Sequence, residues 1–148
     1  MTSARWLVLT WRLPAASSTP RVATWRSLQR LGAISLTPGA VILPFSEHLL
    51  EQLEWIAEEI VQRGGDAYVL PVTELAEADE EDIRRRMRGE SRREYARLRD
   101  AAASVEGREL AALQRALQRA VDRDHFTAAG RAAAERAIRH AARRREQP

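Results

Sequence analysis

The sequence contains no cysteine and no lysine. The first absence excludes disulfides, thiolate catalysis, zinc ribbons and iron–sulfur clusters, and it agrees with a reducing compartment. The second makes all 24 basic residues arginine. No apolar run reaches the roughly 18 to 20 residues that a membrane helix needs, and the first residues lack the basic segment, apolar core and small-residue cleavage pattern of a signal peptide. The expectation is a soluble, cytoplasmic protein with no membrane role. Acidic residues are missing before Glu47, and proline is missing from Glu77 to Gln147. The three histidines, His48, His125 and His140, are too scattered for the i, i+4 metal pair of a helix, and there is neither an HExxH motif nor a phosphate-cradling glycine loop.

What is present is a chain of 148 residues, 45% apolar and 30% charged, which is enough for an independent core. Its net charge of +3 is unevenly placed. Residues 1–75 carry 6 arginines against 7 acids and residues 76–148 carry 18 against 14, so an anionic partner is drawn mainly to the second half. The change in character near residue 75 predicts two parts: an α+β module over 1–75, and an arginine-rich helical tail over 76–148 packed on that module or on a partner.

In the first half, Arg5 to Leu13 is an apolar run closed by Pro14. Alternation places Leu7, Leu9, Trp11 and Leu13 on one face, with Trp6, Val8, Thr10 and Arg12 on the other. After the loop Ala15 to Ser18, Thr19 followed by Pro20 reads as a cap and first turn, starting a helix that runs to Gly32. Ala33–Thr37 and Ala40–Leu43 form a hairpin around Pro38-Gly39. Ser46 caps a second helix with a Leu49, Leu53, Ile56, Ile60 stripe, stopped by Gly64-Gly65, and Asp66–Val72 is the last strand. The order β-α-β-β-α-β is the ferredoxin-like arrangement, in which two helices cover one face of a four-stranded sheet. The other face, with Trp6 and Val8, is expected to be bare and to be covered by a second copy or by the C-terminal helices.

From Glu77 onward alanine, arginine, glutamate and leucine recur at helical spacing. One helix is expected from about Asp79 to Ser104, a second from Arg108 to Asp124 making a hairpin with it, and a third from a cap at Thr127. Arginines 84, 85, 88, 92 and 99 share one side of the first. They admit two readings: a solvated face paired with Glu80, Glu81 and Asp82 four residues earlier, or an anion-binding surface that keeps Arg88 and Arg92 free. Among the tryptophans, Trp11 and Trp25 fall on core positions. Trp55 lies about 120° off its helix's apolar stripe and is expected to pack under the helical tail.

Little here supports catalysis. Small metal-dependent nucleases of the ferredoxin-like fold, such as the CRISPR adaptation endonucleases, resemble this half in outline but place an aspartate at the end of the first strand. Here that segment reads Thr10-Trp11-Arg12-Leu13, without an oxygen ligand for magnesium. Asp122, Asp124 and His125 are the only close set of potential metal ligands, and a polar helix end explains them better because they point to different sides. Ser46, Glu47 and His48 lie in one helical turn, where capping is their role. No metal or other cofactor is called for.

Several segments together resemble a family: Trp6-Leu7-Val8-Leu9 to Leu13-Pro14, Arg21-Val22 with Trp25-Arg26, Leu28 and Arg30-Leu31-Gly32-Ala33, and Val41 to Leu43-Pro44. Leu53-Glu54-Trp55-Ile56-Ala57-Glu58-Glu59-Ile60 and Gly64-Gly65-Asp66-Ala67 continue the likeness, followed in the tail by Glu94-Tyr95, Leu98 and Arg123-Asp124-His125-Phe126. They look like the N-terminal domain of the chromate-resistance regulator ChrB, which usually has an aromatic at the His125 position. A more distant likeness is to the ferredoxin-like middle domain of PaaX-type repressors. The resemblance implies a bacterial regulator of chromate-resistance loci and not an enzyme. ChrB proteins commonly continue into a second domain, whose functions are not carried over.

The leading expectation is therefore a non-enzymatic ChrB-like regulatory or accessory homodimer, binding DNA or an oxyanion such as chromate. The candidate contacts are Arg21 in the first turn of its helix, Arg26 and Arg30 further along it, and Arg88 and Arg92 in the tail. The competing expectation is a protein-interaction module that uses its helical tail and has no nucleic-acid role.

Overall fold

The computed structural model describes residues 3–14 and 18–147. The loop expected at Ala15 to Ser18 lies, apart from Ser18, outside them. The elements follow as β1 (Trp6–Arg12), α1 (Thr19–Arg30), β2 (Ile34–Thr37), β3 (Ala40–Pro44), α2 (Glu47–Gln62), β4 (Asp66–Val72), α3 (Glu77–Ala102), α4 (Glu109–Arg123) and α5 (Arg131–Glu146). By compactness the chain divides into two units, Met1–Ile83 and Arg84–Pro148.

In the first unit the four strands form one sheet in the order β2-β3-β1-β4. All three pairings are antiparallel, so the fold is the ferredoxin-like α+β arrangement. The central strand follows from its alternation. Leu7, Leu9 and Leu13 are buried with Val41 and Leu43 of β3, Leu28 of α1, and Leu49, Leu53 and Ile60 of α2. Each such side chain contributes about 1.5–3 kcal/mol by leaving water. Trp11 and Trp25 are half-buried against this core, as their positions predicted. Ser46 caps α2, its Oγ accepting from the Leu49 amide at 3.0 Å.

One local expectation changes. Thr19 is the first helical residue of α1; Ser18 stands at the N-cap, and its side chain makes no capping bond. The second sheet face is covered in part, one of the two covers expected for it being the helices after residue 75. Trp6, Ile34 and Ile42 on it are buried, whereas Tyr68 and Leu70 on the edge strand are 65% and 45% exposed. At the Trp6 end, Glu80 in the first turns of α3 accepts from the Trp6 indole (3.3 Å) and from the Arg5 guanidinium (2.7 Å). A carboxylate that helical spacing assigns to Arg84 therefore also serves the sheet.

The second unit is helical. Tyr95, Leu98 and Ala102 of α3, Leu110 and Ala120 of α4, and Ala134, Ile138 and Ala141 of α5 share one buried cluster. Arg144 donates to the carbonyls of Ala102 (2.9 Å) and Ala103 (3.4 Å), satisfying acceptors left open where α3 ends. Thr127 is not the cap of the last helix. It has a positive φ of 50°, and α5 begins four residues later behind Gly130, whose φ of 99° suits a residue without Cβ. Among the described residues, no helix is long and apolar enough to cross a membrane.

Candidate functional site

The arginines on α1 do not converge. Arg26 and Arg30 are one helical turn apart and share a face, while Arg21 is rotated by about 140° from Arg26. All three are exposed. Arg21 sits in the first turn after Pro20, where no side chain caps the free amides. On α3, Arg88 and Arg92 are again one turn apart and both exposed. Among the described residues, no acid pairs with any of these five guanidinium groups. The structure thus brings together the pairs Arg26/Arg30 and Arg88/Arg92, and leaves Arg21 apart.

Other arginines are committed to the fold. Arg123 bonds Glu94 through Nε at 2.8 Å and through a second nitrogen, a forked pair that joins α4 to α3. Burial pushes the Arg123 guanidinium below its ordinary range, while the carboxylate keeps it charged. Arg131 bonds Glu135 at 2.8 Å, and this hydrogen bond raises its proton affinity. Arg84 and Arg88 both lie over the Phe126 ring, at 5.0 and 5.6 Å from its centre. The ring's negative face holds those guanidinium groups without neutralising them.

Asp124 and Tyr95 organise the region beside this basic face. The Tyr95 hydroxyl, on a fully buried ring, donates to Asp124 Oδ2 at 2.8 Å. The same carboxylate accepts from the amides of Ala128, at 2.8 Å to Oδ2, and Phe126, at 3.4 Å to Oδ1. Burial first, then the hydrogen bond to Asp124, pushes the Tyr95 hydroxyl well above its ordinary value. Asp122 is held by Gln118 at 2.8 Å. Both aspartates of the sequence-predicted polar cluster therefore have structural partners.

Arg92 and Arg99 line a cavity of about 220 Å3 with Tyr95, Ala96, Ala129 and Gly130. Gly130 is also the N-cap of α5, and no side chain caps that helix end. Arg99 is paired with Asp100 at 3.2 Å, which leaves Arg92 as the guanidinium beside the uncapped helix start with the chemistry to hold an anion. Arg92 and Arg99 are legible in the sequence as neighbours on one helix side, and their setting beside Gly130 is not. A glycine opening an alanine-rich helix was the available signal, and the helix start assigned to Thr127 hid it.

The family profile described as "Protein ChrB, N-terminal" matches residues 21–106, from α1 through the end of α3. Protein ChrB of Cupriavidus metallidurans strain CH34 is 33% identical over 79 residues, which are 53% of this chain and 24% of that protein. The chain thus aligns with about a quarter of the length of its curated relative. No solved structure gives a significant match. The matched span takes in the arginine pairs of α1 and α3 alike, and the chain belongs to the ChrB N-terminal family.

Proposed function

We propose that this chain is a non-enzymatic regulatory or accessory protein linked to chromate resistance, which binds DNA or an oxyanion such as chromate through exposed arginines. The observation that carries this reading is the pair of one-turn arginine couples, Arg26/Arg30 and Arg88/Arg92, exposed and without carboxylate partners, in a chain of the ChrB N-terminal family. A guanidinium couple one turn apart spans neighbouring phosphates, or grips one oxyanion from two sides. Phe126 under Arg88 supports the reading, because it holds the side chain in place and leaves its charge available. Arg21, on another side of α1, acts on its own at the helix start.

The test is a pair of double variants. Arg26→Ala with Arg30→Ala, and separately Arg88→Ala with Arg92→Ala, are expected to weaken binding to fluorescent duplex DNA or to chromate while each protein stays folded, since exposed helix arginines seldom contribute more than about 0.5 kcal/mol of stability. The second variant is expected to lose slightly more stability through its contact with Phe126. Unchanged binding in both variants would leave the arginines as solubilising residues. Magnesium-dependent cleavage of the DNA by the pure protein would contradict the non-enzymatic reading.

The competing reading is a protein-interaction module. It is favoured by Trp55, expected under the helical tail but 61% exposed on α2. A second copy of the chain remains the expected protein partner. The sheet face expected to be covered by a second copy or by the C-terminal helices is buried at its Trp6, Ile34 and Ile42 positions, so its free part is the Tyr68 and Leu70 edge.

A further inference from the structure

The two units carry opposite charge. Met1–Ile83 has 6 arginines and 12 acidic residues, and Arg84–Pro148 has 18 arginines and 9 acidic residues. One helix of each unit carries part of this imbalance on an exposed face. α2 holds five glutamates and no arginine between Glu47 and Gln62. α5 ends in Arg143, Arg144 and Arg145, with Arg136 and Arg139 before them.

On α2, Glu51, Glu54, Trp55 and Glu58 stand at i, i+3, i+4 and i+7, one exposed row opposite the buried Leu49, Leu53 and Ile60. On α5, Arg136, Arg139, His140 and Arg143 stand at the same spacing, exposed and opposite the buried Ala134, Ile138 and Ala141. The two rows match position for position. Among the described residues, Glu51, Glu54 and the α5 row make no salt bridge, and Glu58 meets only Gln62, at 3.5 Å. Six exposed charges with no acid–base partner, and a tryptophan set among the carboxylates, make an incomplete surface.

We propose that α2 of one chain docks α5 of a second copy, Trp55 supplying the apolar and cation–π anchor and the glutamate and arginine rows setting register. Exposed ion pairs are weak singly and fix orientation more than affinity, so Trp55 is the residue whose loss matters most. Because each copy offers both rows, two such contacts close a symmetric pair and leave neither row over. This surface uses none of the arginines assigned to DNA or oxyanion binding, so its failure and theirs are separable.

Sedimentation of the full chain over a micromolar concentration series tests it. At about 50 mM salt a species of twice 16.7 kDa is expected, dissociating at about 500 mM as exposed pairs are screened. Trp55→Ala is expected to raise the dissociation constant about tenfold or more, the range of an interface anchor. Reversing either row, by Glu51→Arg, Glu54→Arg and Glu58→Arg or by Arg136→Glu, Arg139→Glu and Arg143→Glu, is expected to give monomers. A mixture of the two reversed proteins should form a mixed dimer, because each then carries the complement of the other's rows. A wild-type chain that stays monomeric at low salt overturns the proposal, and that result covers a contact made within one chain. So do a dimer indifferent to Trp55→Ala and both reversals, and folded reversed proteins that fail to pair with each other.

Discussion

Asp124→Ala is expected to destabilise the helical unit by about 3 kcal/mol. The substitution removes the acceptor of the buried Tyr95 hydroxyl together with that of the Ala128 amide. Bonds to a charged acceptor contribute about 1.5–3 kcal/mol each, and a buried hydroxyl left without a partner costs about 1–3 kcal/mol. Part of this is recovered as water reaches the loop. Asp124→Asn, which keeps an acceptor but loses the charge, should fall between. All four tryptophans lie in Met1–Ile83, so far-UV circular dichroism should register the loss more strongly than tryptophan fluorescence does. Equal shifts by both probes, or a shift below about 1 kcal/mol, would show that Asp124 does not organise this unit.

The same contact sets a pH dependence. The folded state holds the Tyr95 proton beyond the ordinary value of 10.0, so the unfolded chain releases it first as pH rises. The stabilisation is complete below about pH 10 and diminishes above it. Tyr95→Phe should lower stability near neutrality by about 1 kcal/mol and flatten the alkaline decline.

The second large effect is expected in the sheet unit from Gly65→Ala. A Cβ at this position would stand 2.3 Å from the Arg12 carbonyl oxygen, 2.8 Å from Ile60 Cγ2 and 3.0 Å from Leu13 Cδ2. The nearest atom belongs to the backbone of the central strand, so relief requires moving β1 or the turn before β4. Overpacking typically costs about 1–3 kcal/mol, and a clash with backbone puts this case at about 3 kcal/mol. Tryptophan fluorescence should follow this unfolding, and Gly64→Ala is the instructive comparison. Gly64 has open space, with only Pro14 at 3.8 Å, but a φ of +85°, so its penalty is conformational, about 1 kcal/mol. If Gly65→Ala is no worse than Gly64→Ala, the close approach of strand and turn is not what fixes glycine there.

The first unit was legible because its signals are local. The alternation of Leu7, Leu9 and Leu13 identified the buried face, Ser46 lay three residues before the amide it caps, and Gly64-Gly65 ended α2 as read. The errors arose where a distant residue decides. What covers Trp6 stays open in the sequence between a second copy and the C-terminal helices, because its hydrogen-bond partner, Glu80, lies 74 residues on. Thr127 looked like a cap because the residue that orders its loop, Asp124, is fixed by Tyr95 29 positions earlier. The arginine candidates were legible as helix positions, and their pairing followed from spacing alone. The cavity at Arg92 and Arg99 was not, since it depends on where Gly130 of another element is brought. Trp55 is 61% exposed, and its place about 120° off the apolar stripe of α2 could not decide this, because that angle suits an exposed side chain and one packed under another element alike.

Anion binding by the exposed arginines is tested most directly by the salt dependence of binding to the wild-type chain. Fluorescence anisotropy with a mixed-sequence duplex of about 30 base pairs, between about 50 and 200 mM salt, reads the number of phosphates engaged from the slope of log K against log salt. One arginine couple holding two phosphates gives a slope of about −2, and a steeper slope follows where both couples engage the duplex; chromate should be bound or should compete if an oxyanion is the natural ligand. No binding of either ligand at the lowest salt, or binding with a slope near zero, would contradict the account.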